Sequence, residues 1–94
     1  MKEKTLQTKI IKYLESCGAY VRKISIANRN GTPDILGCLN GKFFGIEVKG
    51  EGTRVTQLQD YNLKKIEAAG GSAIVARTME DVFNLVRVLR GENG

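Results

Sequence analysis

Three residues stand out for the chemistry their types and spacing allow: Asp34, Glu47 and Lys49. They bracket Asn40-Gly41, the strongest short signal for a two-residue β-hairpin loop. With Leu39 facing Lys42, counting outward from that loop puts Asp34 opposite Glu47. The alternation of pair types puts them in the non-hydrogen-bonded class, where Cα atoms lie roughly 4.5 Å apart. Lys49, two residues beyond Glu47, points to the same face. A bulge at Gly37 or Gly45 would shift this register by one residue. Like charges directly opposite on a sheet are destabilising, and this pair ends a hairpin filled with Ile35, Leu36, Leu39, Phe43, Phe44, Ile46 and Val48. A hard divalent cation resolves the conflict, because Mg²⁺ is held by one or two carboxylates together with substrate phosphate. The alternative is structural. Asp34 would cap a loop after Pro33, and Glu47 would pair with Lys49 or Lys42 on the surface.

Composition narrows the chemistry further. The chain has 94 residues and no histidine, which excludes Ser-His and Cys-His hydrolases, HExxH zinc enzymes and nucleases with a histidine base. Carboxylates, lysine, hydroxyls or a metal must do the work. The net charge of +5, from 15 basic and 10 acidic residues, suits a polyanionic partner. Two cysteines without CxxC spacing, Cys17 and Cys38, indicate free thiols, with Cys38 expected to be buried in a strand. The apolar runs are far short of a bilayer span and the N-terminus lacks the pattern of a signal peptide. A cytoplasmic protein without membrane association is the expectation.

The elements that must position these residues follow from periodicity. Leu6, Ile10, Leu14 and Cys17 recur at helical spacing from about Lys2 to Cys17, stopped by Gly18. Glu3 shares that apolar face with Gln7, so it points either at the end of the sheet or into solvent as a first-turn acid favoured by the helix dipole. Ala19 to Ser25 reads as a strand and Asn28 to Thr32 as a polar loop. Asp34 to Leu39 and Lys42 to Lys49 form the hairpin. A flexible Gly50-Glu51-Gly52-Thr53-Arg54 link leads to a helix over Thr56 to Ala69. Ser72 to Arg77 is a short strand, and Thr78 to about Leu89 is a third helix with Met79, Val82, Phe83, Val86 and Leu89 inward. The order α-β-β-β-α-β-α predicts an antiparallel meander of three strands and a helical crossover to a fourth strand parallel to the third. One domain over 1–90 with a disordered 91–94 tail is expected.

Gly31-Thr32-Pro33-Asp34, followed after twelve residues by Glu47-Val48-Lys49, resembles the PD-(D/E)xK nuclease superfamily. More closely, the chain resembles a stand-alone VRR-NUC domain, the virus-type replication-repair nuclease family. The similarity extends from Glu3 and Gln7 through the Gly-rich link to Gln59 and Gly70. It implies an α/β restriction-endonuclease-like core: a mixed four-stranded sheet with helices on both faces. It also implies that Asp34 and Glu47 bind Mg²⁺ or Mn²⁺, that the Val48 carbonyl and Glu3 complete the metal shell, and that Lys49 and Gln59 are catalytic. Thr56-Gln57-Leu58-Gln59 also spells a capping box, so Gln59 has a second possible role. Where the family helix carries an aromatic, this chain has Asn62, with Tyr61 beside it.

The implied activity is metal-dependent hydrolysis of phosphodiester bonds in branched DNA such as four-way junctions. Asn28, Arg29, Asn30 and Arg54 are the expected phosphate contacts; Lys2, Lys4, Lys9 and Lys12 are expected to form a solvated helix face. Two nicks in a symmetric junction call for a homodimer, through the third helix or the hairpin tip. No organic cofactor is expected. The alternatives are a non-catalytic nucleic-acid-binding module and a small nuclease subunit of a replication or repair complex.

Overall fold

The computed structural model describes residues 2–92. Its elements are α1 (Glu3–Ser16), β1 (Tyr20–Lys23), β2 (Ile35–Leu39), β3 (Lys42–Val48), α2 (Gln57–Ala68), β4 (Ser72–Ala76) and α3 (Met79–Leu89). They form one mixed sheet in the order β1-β2-β3-β4, antiparallel except for the β3–β4 pair. No helix among the described residues is long and apolar enough to cross a membrane.

The hairpin has the predicted register. Leu39 faces Lys42, and the ladder runs without interruption through Gly37↔Phe44 and Leu36↔Gly45 to Ile35↔Ile46, so neither glycine forms a bulge. The turn residues Asn40 and Gly41 have φ of 55° and 74°. Two positive φ values suit the primed turn that matches strand twist, which explains Asn-Gly there. Asn40 Nδ2 also donates to the Leu89 carbonyl at 3.1 Å, tying the tip to the end of α3.

The two sheet faces are covered unequally. Val21, Ile35, Leu39, Phe44, Ile46, Val48 and Ala76 point toward α1 and α3, where Leu6, Ile10, Leu14, Val82, Leu85, Val86 and Leu89 complete a buried core. Each such side chain contributes about 1.5–3 kcal/mol when fully buried. On the opposite face α2 packs on β3 and β4, with Ile66 against Gly45 and Gly71. The main contacts of α2 are with β3 and β4, so the β1–β2 half of that face is less covered. Tyr20, Cys38 and Phe43 face one another across the strands and are exposed. Cys38 is therefore at the surface rather than inside, because its face extends beyond the reach of α2.

Two further expectations are corrected. The inward stripe of α3 includes Leu85, while Phe83 sits at its margin, 39% exposed, with its ring edge-on to Tyr13 at 4.9 Å. Of the expected tail, Gly91 and Glu92 donate to the Val88 and Arg87 carbonyls and close α3. The remainder, 93–94, lies outside the described residues.

Candidate active site

Asp34 is delivered by a turn whose shape follows from its residue types. Gly31 has φ +81°, and a Cβ there would meet Leu58 Cγ at 2.7 Å and Asn62 Nδ2 at 2.8 Å on α2, so a side chain is excluded twice over. The buried Pro33 fixes its own φ and holds Thr32 extended. The loop is pinned by Thr32 Oγ1 donating to the Arg29 carbonyl at 2.9 Å and Asn62 Nδ2 donating to the Asn30 carbonyl at 3.4 Å. Asn62 thus fastens the loop to α2.

Just past the last ladder pair, Asp34 is gripped at both ends. Its carbonyl accepts from Ile24 N at 2.7 Å and its Oδ2 accepts from Val48 N at 2.8 Å. One residue's N–H and C=O point the same way in a strand, so the Val48 carbonyl also faces the Asp34 side of β3. Glu47 is 3% exposed and Lys49 8%, the two buried charged residues of the chain's described part.

Burial, then the charge of Asp34 and a hydrogen bond to it, push the Glu47 carboxyl up to about 8; Lys49 opposes this and Glu3 adds to it. A Glu47 carboxyl raised in this way favours its protonated form, which can donate to the half-buried Asp34 and so relieve the repulsion between them. Glu3 reaches the same end of the sheet from α1. A Cβ on Gly50 would lie 3.5 Å from its Cγ and Oε2. Among the described residues, no three acidic, cysteine or histidine side chains close into a ready-made metal cage. Glu3 therefore lies beside the acid pair rather than within it.

The donors near the pair are carboxylate and carbonyl oxygens with no histidine to join them. That all-oxygen set fits a hard divalent ion such as Mg²⁺ or Mn²⁺ better than zinc.

Of the remaining predicted residues, Arg29 and Asn30 line a cleft of about 360 Å³ with Asp34, whereas Asn28 is exposed and off its lining. Arg54 lines a different cleft on the far side of Gly50. Gln59 shows its capping role: its N–H donates to Thr56 Oγ1 at 3.1 Å and its Oε1 accepts from Thr56 N at 3.0 Å. With the amide oxygen so engaged, the arrangement gives no support to a catalytic role. Lys4, Lys9 and Lys12 on α1 and Lys2 at its N-cap are all exposed.

Two residues near the site went unremarked or unused in the sequence. Arg77 donates from Nη1 to the Gly50 carbonyl at 2.9 Å; the parallel register that aligns it with Lys49 leaves no local sequence signal. Gln7, one turn beyond Glu3, has a buried Oε1 without a hydrogen-bond partner among the described residues. Its signal was its place on the apolar stripe of α1.

Comparison with solved structures agrees with the geometry. One described as a VRR_NUC domain superposes with a TM-score of 0.77 at 29% identity, covering 90% of this chain and 94% of its own. Another, a VRR_NUC domain protein, gives 0.74 over 93% and 86%; at 18% identity it speaks to fold alone. No protein-family model and no curated protein sequence matches the chain. The element order, mixed sheet and acid-acid-lysine end of the hairpin define a restriction-endonuclease-like, nuclease-type domain. Within that class, the chain is similar in fold to these two VRR-NUC domain structures, at 29% and 18% identity.

Proposed function

We propose that this chain is a metal-dependent endonuclease that hydrolyses phosphodiester bonds in DNA, with Asp34 and Glu47 as metal ligands. The observation that carries it is the juxtaposition of the buried Glu47 and Lys49 with Asp34, whose carboxylate is held on the Val48 N–H. The Val48 carbonyl and Glu3 are the further oxygens available. When bound, Mg²⁺ or Mn²⁺ would polarise the phosphate and lower the pKa of a coordinated water.

The protein's own groups do the rest. The Val48 N–H holds the Asp34 carboxylate in place through Oδ2. Glu47 would have to be deprotonated to act as a ligand, so metal binding there would compete with its proton. Lys49 sits within the charge field of Glu47, where an ammonium positions water and stabilises the charge that builds on phosphate. Arg29 and Asn30, on the cleft shared with Asp34, hold the flanking backbone.

Branched DNA is the proposed substrate, since so small a domain has little surface for reading bases. Cutting both strands of a symmetric junction calls for two copies related by a two-fold axis. The cytoplasm is the proposed location, and no organic cofactor is invoked.

A cleavage panel of branched, duplex and single-stranded DNA with Mg²⁺, Mn²⁺ or EDTA tests the proposal. Cutting should require metal and favour branched DNA. Asp34→Asn should abolish it and Lys49→Ala should slow it roughly 10²–10³-fold. Wild-type rates in either variant, or cutting in EDTA, would refute the assignment. A pure nucleic-acid-binding module would instead bind DNA equally with chelator and cut none.

A further inference from the structure

Beyond Lys49, the chain opens a second cleft that the acid pair does not use. It has a volume of about 710 Å³, within the roughly 300–1,000 Å³ range of small-ligand sites. Leu6 and Met79 give it an apolar floor, while Thr53, Arg54, Arg77 and the single acid Glu51 form its polar lining. It adjoins the proposed active site through covalent neighbours. Lys49 N donates to the Ala76 carbonyl at 3.0 Å, and the next residue, Arg77, donates to the Gly50 carbonyl at 2.9 Å. Neither guanidinium has a carboxylate within 4 Å among the described residues, where the ion pair is Lys64–Asp60.

From this combination we infer that the cleft takes one unstacked nucleotide of the strand being cut, next to the scissile phosphate. The inference rests on the nuclease assignment and extends it to the form of the substrate. Two unpaired guanidiniums complement phosphate. An apolar floor is of no use to intact duplex, whose bases are stacked inside and whose outer surface is sugar and phosphate. A base that has left the stack presents a flat apolar face, and such contacts hold single strands without regard to sequence. The polarisable, unbranched Met79 adapts to any base. Branch points and flaps supply unstacked nucleotides at least cost, since unpairing is expensive only within an intact helix. Selectivity for branched DNA then arises in the cleft rather than at the acid pair.

The test is fluorescence anisotropy in Ca²⁺ with a labelled oligothymidylate of about 12 nucleotides, a matched abasic oligonucleotide and a blunt duplex. Wild type should bind oligothymidylate more tightly than the duplex. Arg54→Ala and Arg77→Ala should each weaken it roughly 10-fold and reduce the log–log salt slope by about 0.7. Met79→Ala should weaken oligothymidylate and leave the abasic strand unchanged, a difference that a merely structural role would not produce. Arg54 lies on the exposed link and makes no side-chain hydrogen bond in the described structure, so Arg54→Ala keeps the fold. Unaltered affinity and salt slope in Arg54→Ala overturn the inference, as does equal weakening of both strands in Met79→Ala. If wild type binds as described yet never cuts with Mg²⁺ or Mn²⁺, the nuclease assignment fails and the cleft stands. If it cuts normally while the arginine variants bind like wild type, the cleft fails alone.

Discussion

Glu47 concentrates the chemistry of the site in one side chain. Its carboxyl is raised from an ordinary value near 4.5 to about 8, first by burial and then by Asp34. Between those two values the folded chain holds a proton that the unfolded chain has released, so folding stability falls as pH rises. As far as this residue decides, metal-free protein should be most thermostable at and below about pH 4.5, lose stability up to about pH 8, and change little above. Mn²⁺ should raise the melting temperature more at pH 8 than at pH 5.5, because below the raised value it must displace the proton. Glu47→Gln should flatten the pH dependence, stabilise the metal-free protein at pH 8 and abolish the response to Mn²⁺. Scanning calorimetry across that range checks all three; a slope that persists in Glu47→Gln would assign the titration elsewhere.

Among the elements, α2 shows how a family resemblance and a local physical rule can compete for one residue. Thr56 and Gln59 satisfy each other's backbone donors, so Gln59→Ala and Thr56→Ala should each cost about 1 kcal/mol, which is roughly 4–8 °C in melting temperature for a chain this short. Cleavage at saturating metal should stay close to wild type in both, measured below the transition. A loss of rate confined to Gln59→Ala would show a role beyond the cap. The sequence made the hairpin legible because Asn40-Gly41 dictates both turn and register, and the alternation of strand faces then places Asp34, Glu47 and Lys49 together without further information. The parallel β3–β4 register has no turn to fix it, so the alignment of Arg77 beside Gly50 was out of reach. Cys38 was misplaced for a related reason: strand periodicity distinguishes faces but does not say how far the helix on one of them extends. Phe83 and Leu85 differ by a modest rotation around α3, finer than apolar spacing alone resolves.

At the scale of the whole molecule, the sheet carries a thick core on one side and a partial cover on the other, with the site at the end where α1, the hairpin and β4 meet. The proposed two-fold pair should appear in light scattering as a mass of twice 10.3 kDa at micromolar concentration; a single-chain mass with and without DNA would remove it. The uninterrupted hairpin ladder also makes tolerance to changes in chain length uneven. Residues added at the exposed Asn40-Gly41 tip leave the pairing of the arms intact. One residue added anywhere between Ile35 and Leu39, or between Lys42 and Ile46, reverses the parity of everything beyond it and turns one acid away from the other. Lineages of this domain are therefore expected to vary freely at the tip while keeping the two arms at constant length.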